Sequence, residues 1–138
     1  MTPELLQNYL RSEYRVFDGE RTIVLNLDTT SPELKELYAR HNAITAVFMT
    51  AWNPHSETTD PDRNEINMVA LLHDLTGYTL YNGEGADPTG EWPPERNVLA
   101  LDVSMDKAVS LGQRYRQNAV IFANEDAIPR LILCESDK

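Results

Sequence analysis

Apolar and polar residues alternate along this chain in two different rhythms, and the rhythm changes every ten to fifteen residues or so. Thr2-Pro3-Glu4 supplies a hydroxyl cap, a proline at the first helical position and an acid near the positive end of the helix dipole. Leu5, Leu6, Tyr9 and Leu10 then fall on one face, so residues 3–11 are predicted as a short amphipathic helix. Tyr14 to Phe17 is a short extended piece, and Asp18-Gly19 is a turn signal. Thr22 to Leu27 has strand character. Ser31-Pro32-Glu33 repeats the chemistry of a helix start, followed by Leu34, Leu37, Tyr38 and His41 at helical spacing, with His41 as a helix-end residue. Ala43 to Ala51 is nearly continuous in apolar character, as expected of a strand covered on both faces. Strand, helix and strand over 22–51 predict a right-handed βαβ unit.

The same rhythm continues beyond. A helix is predicted over residues 62–75, with Met68, Leu71, Leu72 and Leu75 as its buried stripe, Asn64 as its N-terminal cap and Gly77 as its C-cap. Tyr78 to Tyr81 is a short strand, and Asn82 to Arg96 a long loop rich in glycine and proline. Asn97 to Val103 resumes a strand, and Ser104 caps a helix whose inner face is Met105, Ala108, Val109, Gly112 and Tyr115. Asn118 to Ala123 and Arg130 to Cys134 are the arms of a C-terminal β-hairpin. The sum is an α+β fold, a single domain over residues 1–138, with a mixed central β-sheet, the N-terminal βαβ unit and about four helices.

Composition narrows the function classes. A length of 138 residues can bury a core without disulfide or metal. A single cysteine, Cys134, forbids an internal disulfide, and the N-terminal stretch lacks the basic and apolar regions of a signal peptide, so the cytoplasm is the expected compartment. A net charge of −10, with 12 basic against 22 acidic residues and no basic stripe, argues against nucleic acid and anionic membranes as partners. No apolar run approaches the ~20 residues that span a bilayer.

Two loops are longer than the ~4–6 residues that connections usually need. The first, Trp52 to Pro61, leaves the end of a buried strand, where α/β sheets place ligands. Trp52 would offer a stacking surface and Asn53 a donor and an acceptor; a ring closing the core and a turn fit equally. Asn64 and Asn67 share one face of the following helix, where asparagine is a poor interior residue, and either brace the loop or read a ligand. The second loop carries Glu84, Asp87, Glu91 and Glu95 with no base before Arg96. These acids suit a rim or a cation less than they suit solvent, no metal site is expected, and Trp92 would pin the loop by packing. Gly83-Glu84-Gly85 is neither a dinucleotide fingerprint nor a P-loop. Gln117 and Asn118, between helix and strand, face the same mouth or satisfy the helix end. No nucleophile elbow occurs, and His41, His55 and His73 lack zinc spacing. No catalytic residue and no cofactor can be named.

Three stretches, Thr50 to Pro54 with Asn64 and Asn67, Gly83 to Asp87 through Gly90, Trp92 and Glu95, and Leu111-Gly-Gln through Gln117-Asn-Ala119, recur in a known order and spacing. Together they resemble a bacterial domain of unknown function, family 3293 of the domain-of-unknown-function series, over roughly residues 14 to 133. The resemblance implies a small stand-alone protein and carries no activity or catalytic residue. Members often have glycine where this chain has Asp102, which implies a different turn into the last helix.

The leading expectation is therefore a small-molecule-binding domain, catalytic or not, with a polar pocket at the end of strand 43–51. Its candidate ligand-binding residues are Trp52, Asn53, Asn64, Asn67, Glu84, Asp87, Trp92, Glu95, Gln117 and Asn118. The alternative is a non-catalytic protein-interaction domain whose acidic surface meets a basic partner. Oligomeric state is open at this point.

Overall fold

A computed structural model of the chain describes residues 1–134. Helix α1 (Pro3–Arg11) leads into an antiparallel hairpin of β1 (Glu13–Asp18) and β2 (Arg21–Leu25). Helix α2 (Pro32–His41), strand β3 (Ala46–Met49) and helix α3 (Pro61–Asp74) follow. Strands β4 (Leu80–Ala86) and β5 (Glu95–Leu101), helix α4 (Met105–Arg114), and strands β6 (Ala119–Ala123) and β7 (Arg130–Leu133) complete the fold.

The helix starts follow the capping chemistry of the sequence. Thr2, Ser31 and Ser104 each accept a hydrogen bond from a backbone N–H three residues on, and proline occupies the first turn of α1 and α2. α3 is capped by Asp60, so Asn64 stands inside the helix instead of at its cap. Its C-cap is Leu75 rather than Gly77, which takes a positive φ of 95° two residues later.

The seven strands form one sheet in the order β2-β1-β4-β5-β3-β6-β7, and every neighbouring pair is antiparallel. The sheet is therefore wholly antiparallel where a mixed one was expected: β2 and β3, the strands of the expected βαβ unit, point the same way but are not neighbours. Three strands stand between them, because β2 pairs with β1 through a tight turn at Gly19 and β1 in turn receives β4.

β3 shows why the sheet reads as apolar on both faces. Ala46 and Phe48 join a core with Leu34, Leu37 and Tyr38 of α2, whereas Val47 and Met49 join another with Met68 and Leu71 of α3 and Leu111 of α4. Successive side chains point to opposite faces, and helices cover both. The sheet curls around the α2 side until the segment after β2 meets the segment before β7. There the Asp28 N–H donates to the Pro129 carbonyl at 2.8 Å and the Ser31 N–H to the Ala127 carbonyl at 2.9 Å.

The long loop expected over 82–96 is mostly strand. β4 runs on to Ala86 and β5 begins at Glu95, pairing Asn82↔Val98 through Gly85↔Glu95, so only 87–94 is left to connect them. Glycines in a strand mark a close approach, and Gly83 is one: a Cβ there would lie 2.4 Å from the Arg15 carbonyl oxygen and 2.7 Å from Phe48 Cε1. The base missing from this stretch comes from the neighbouring strand, where Arg15 Nη1 bonds Glu84 Oε2 at 2.6 Å. Asp102 takes the left-handed conformation at φ 65° that glycine adopts freely, and its carboxylate accepts the Ile44 N–H at 2.8 Å.

The α4 face holds the single cysteine. A Cβ on Gly112 would come within 2.5 Å of Cys134 Sγ and 3.2 Å of Val120 Cγ1. Gly112→Ala is therefore expected to cost about 1–3 kcal/mol in urea unfolding. Combining it with Cys134→Ala, which removes the sulfur, should recover about 1 kcal/mol of that cost in a double-mutant cycle. Additive losses would refute the contact as the cause.

Candidate functional site

The polar residues of the Trp52 loop converge where β3 ends and β5 and β6 begin. Thr50 starts the arrangement: its hydroxyl donates to the Arg96 carbonyl at 2.5 Å and accepts the Trp52 N–H at 2.9 Å. The chain then turns sharply. Asn53, His55 and Ser56 have φ values of 46°, 57° and 61°, three left-handed non-glycine residues within four positions. Such backbone costs on the order of 1 kcal/mol or more per residue and persists only where the surroundings over-determine it.

The over-determination comes from buried amides. Asn64, 1% exposed, accepts the Asn53 N–H on Oδ1 at 2.8 Å; its Nδ2 donates to Asn53 Oδ1 at 2.8 Å and to the Thr59 carbonyl at 3.2 Å. Asn53 Oδ1 also accepts the Thr59 N–H at 3.0 Å, and its Nδ2 donates to Glu95 Oε1 at 2.8 Å. From the other side, Gln117 Nε2 donates to the Trp52 carbonyl at 3.2 Å, Asn118 Nδ2 to Ser56 Oγ at 3.0 Å, and the His55 N–H to the Arg116 carbonyl at 2.7 Å.

Of the ten residues expected to line a site, Trp52, Asn53, Asn64, Glu95, Gln117 and Asn118 come together. The other four do not join this network. Glu84 is engaged by Arg15 on the β1–β4 part of the sheet. Asp87 folds its own loop, accepting from the Thr89 hydroxyl and from the N–H groups of Thr89, Glu91 and Trp92. These donors hold its carboxyl below the usual range. Asn67 has no side-chain hydrogen bond to the described residues. Trp92 is 57% exposed, in a stretch from 90 to 94 that is exposed throughout, so it does not pin its loop by packing as the sequence suggested. Among the described residues no group of three or more His, Cys, Asp or Glu side chains is placed to hold a metal ion.

One member of the site carries no sequence signal. Tyr9 of α1 lies beside the Ser56 and Asn118 side chains and feels the charge of Glu95; burial is the largest influence on its phenol and raises its pKa. Its spacing with Leu5 and Leu6 marked it only as part of an apolar helix face, and nothing in the sequence links it to a loop more than forty residues away.

Glu95 is the chemically distinctive group. Burial raises its pKa, and the Asn53 hydrogen bond only partly offsets this. Its second oxygen has no hydrogen-bond partner among the described residues. The folded chain thus keeps the Glu95 proton to higher pH than the unfolded chain, and the carboxyl subtracts stability as pH rises from the ordinary carboxylate range through the folded value. Glu95→Gln keeps an acceptor for Asn53 and removes the charge. The variant should be more stable than wild type at about pH 7, with the difference vanishing below about pH 4. Urea unfolding at both pH values checks this, and a difference independent of pH would refute it.

Neither of the two cavities described in the molecule opens at this cluster. One, of about 250 Å³, lies between the end of α1, the end of β2 and Pro88; the other is an open groove beside Lys35, Ala39 and Ile44. Trp52, Asn53 and Glu95 are half-buried, which places the cluster at the surface. The side-chain chemistry outweighs the cavity shape here, because neither cavity is lined by Glu95 or by the left-handed residues of the turn at 53–56.

Residues 49–120, just over half of the chain, match the family described as protein of unknown function (DUF3293). The chain belongs to this family. The matched stretch begins at the last residue of β3 and ends just after β6 starts, so DUF3293 covers every residue of the cluster except Tyr9. Comparison with curated proteins and with solved structures finds no match. Among the described residues no helix is long and apolar enough to cross a membrane.

Proposed function

We propose that this domain binds a small polar molecule at the end of β3, with the Glu95 carboxyl as its anchor. The observation that carries this reading is the state of that carboxyl. One oxygen is fixed by Asn53, the other has no hydrogen-bond partner among the described residues, and the whole group is partly desolvated beside a strained loop. Titratable groups perturbed in this way, on rigid supports, mark functional sites more often than chance. The amides of Asn53 and Asn64 and the Gln117 Nε2 position the site and are already committed within the chain, so contact with a ligand falls to Glu95, Tyr9, the side-chain oxygen Oδ1 of Asn118 and Trp52. Such a set takes a ligand rich in hydrogen-bond donors, an amine or a polyol, and the overall negative charge favours a cation.

A thermal-shift screen of primary amines, amino acids, polyols, sugar phosphates and Mg²⁺ against wild type and Glu95→Gln tests this. A ligand at a hundredfold excess over Kd adds about 2.7 kcal/mol of stability. An amine or polyol that stabilises wild type and not Glu95→Gln supports the reading; a flat screen, or equal response of the two proteins, removes it.

A second reading draws on exposed apolar side chains. Trp92 at 57%, Ile66 at 56% and Val69 at 62% exposure favour a protein-interaction domain, its partner basic in view of the net charge of −10. A flat ligand screen combined with loss of partner capture in Trp92→Ala would favour it.

A further inference from the structure

We infer that the cavity between α1 and the edge strand β2 is a second binding site, and that it takes a small carboxylic acid with a short apolar body. This goes beyond the reading at Glu95 and does not depend on it.

The cavity, of about 250 Å³, lies where the last residues of α1, the first of β1 and the last of β2 meet, with Pro88 of the β4–β5 connection in its wall. β2 is the outermost strand of the sheet, so no further strand pairs with it on this side. Pockets for drug-sized molecules run to ~300–1,000 Å³, and the smaller space here limits the occupant to fewer atoms. Leu10, Val24, Leu27 and Pro88 supply the apolar part of the lining. Leu10 is 48% and Val24 37% exposed, which is apolar surface that an occupant would remove from water.

The polar part of the lining selects the sign of the charge. Arg11 lines the cavity, and its guanidinium bonds only the neutral side chain of Asn8, through Nη2 at 2.8 Å. Arg15, Arg21, Arg40, Arg96, Arg114 and Arg130 each have a carboxylate within ion-pair reach, whereas Arg11 has none among the described residues, in a chain of net charge −10. Glu13, which shares the lining, is held instead by Arg15 at 2.5 Å. A cation suits the last turn of α1, but the helix end does not consume this one: the Asn8 carbonyl already accepts the Ser12 N–H at 3.0 Å and the Ser12 hydroxyl at 2.7 Å. Asn26, at the end of β2, adds an amide with no side-chain hydrogen bond among the described residues. A guanidinium fork matches a planar carboxylate in two parallel bonds, the amide offers a further donor, and the hydrocarbon body lies on the apolar wall. An ammonium here would face Arg11, so this cavity and the Glu95 cluster select opposite charges.

4-Methylpentanoate is the probe, titrated into the full chain and followed by proton–nitrogen correlation NMR. Saturable shifts should centre on the amides of residues 10–14 and 24–27, with a Kd on the order of 1 mM for so small a molecule. 4-Methylpentan-1-ol, which keeps the body and drops the charge, should bind about tenfold more weakly or worse. Arg11→Gln should lose about as much, and as a change at an exposed position it leaves the fold intact. Val24→Glu, which sets an acid in the wall without touching Arg11, should abolish binding, while Glu95→Gln should bind the probe as wild type does. Absence of a saturable shift, shifts centred on residues 52–56, equal affinity for the alcohol, or undiminished binding by Arg11→Gln would each overturn the proposal.

Discussion

Asn64→Ala is expected to lower stability by about 3 kcal/mol, on the scale of leaving several buried polar groups without partners. The residue is 1% exposed and serves three bonds at once, to the Asn53 N–H, Asn53 Oδ1 and the Thr59 carbonyl. Removing it strands a donor and an acceptor beneath a turn whose backbone is already unfavourable. The melting temperature should fall by roughly 10 °C for a domain of this size. Asn64→Asp sharpens the test. It retains the acceptor but sets a second oxygen against Asn53 Oδ1 and the Thr59 carbonyl, which both need a donor. Its loss should match or exceed that of alanine at neutral pH and ease on acidification, when the new carboxyl protonates and can donate. Equal stability of Asn64→Ala and wild type in urea would show that the bracing of the loop is dispensable.

Gly83→Ala is the second large effect. The added methyl would stand 2.4 Å from the Arg15 carbonyl and 2.7 Å from the Phe48 ring. Phe48 cannot retreat easily, since its ring packs edge-on against Tyr14 at 6.0 Å between centroids and is 2% exposed. The obstacle on the other side is backbone of the paired strand, so relief requires β1 and β4 to separate. A loss of about 3 kcal/mol or somewhat more is expected, the upper part of the range for overpacking. Gly85→Ala, where the nearest atom is Asn97 Nδ2 at 3.5 Å, should be nearly silent and serves as the control. A similar loss at both positions would mean that strand flexibility, not contact, sets the requirement.

Much of this architecture was legible because local chemistry agreed with the final packing. Thr2-Pro3, Ser31-Pro32 and Ser104 begin helices as their capping groups demand, and the apolar block of β3 lies between two layers of helix. The β4–β5 ladder was misread as a loop because its glycines and acids look like a turn in isolation. Only pairing shows that Gly83 makes room for Phe48 and that Glu84 answers Arg15. The order of strands was hidden for the same reason. Nothing local states that three strands separate β2 from β3.

The candidate site divides along similar lines. Trp52, Asn53, Asn64 and Asn118 stood out as polar residues beside a buried strand, and they do meet there. Glu95 was one acid among four, and its distinction, a desolvated carboxyl with one free oxygen, arises only from tertiary burial. Asn67 follows Asn64 by one helical turn yet makes no side-chain hydrogen bond among the described residues, whereas Asn64 is buried and bonded to the loop. Tyr9 needed the whole fold to reach its place.

The contact between Asp28 and Pro129 also orders events in time. It joins positions about a hundred residues apart, so the curl cannot be completed until nearly the whole described chain is available. During synthesis the β1–β2 hairpin forms early from local contacts, then waits with its outer rim unsatisfied while the central strands assemble. Closure of that rim by the last hairpin is therefore expected to come late. Conditions that delay the arrival of residues 127–133 should therefore prolong the period in which nascent chains are vulnerable to association with one another.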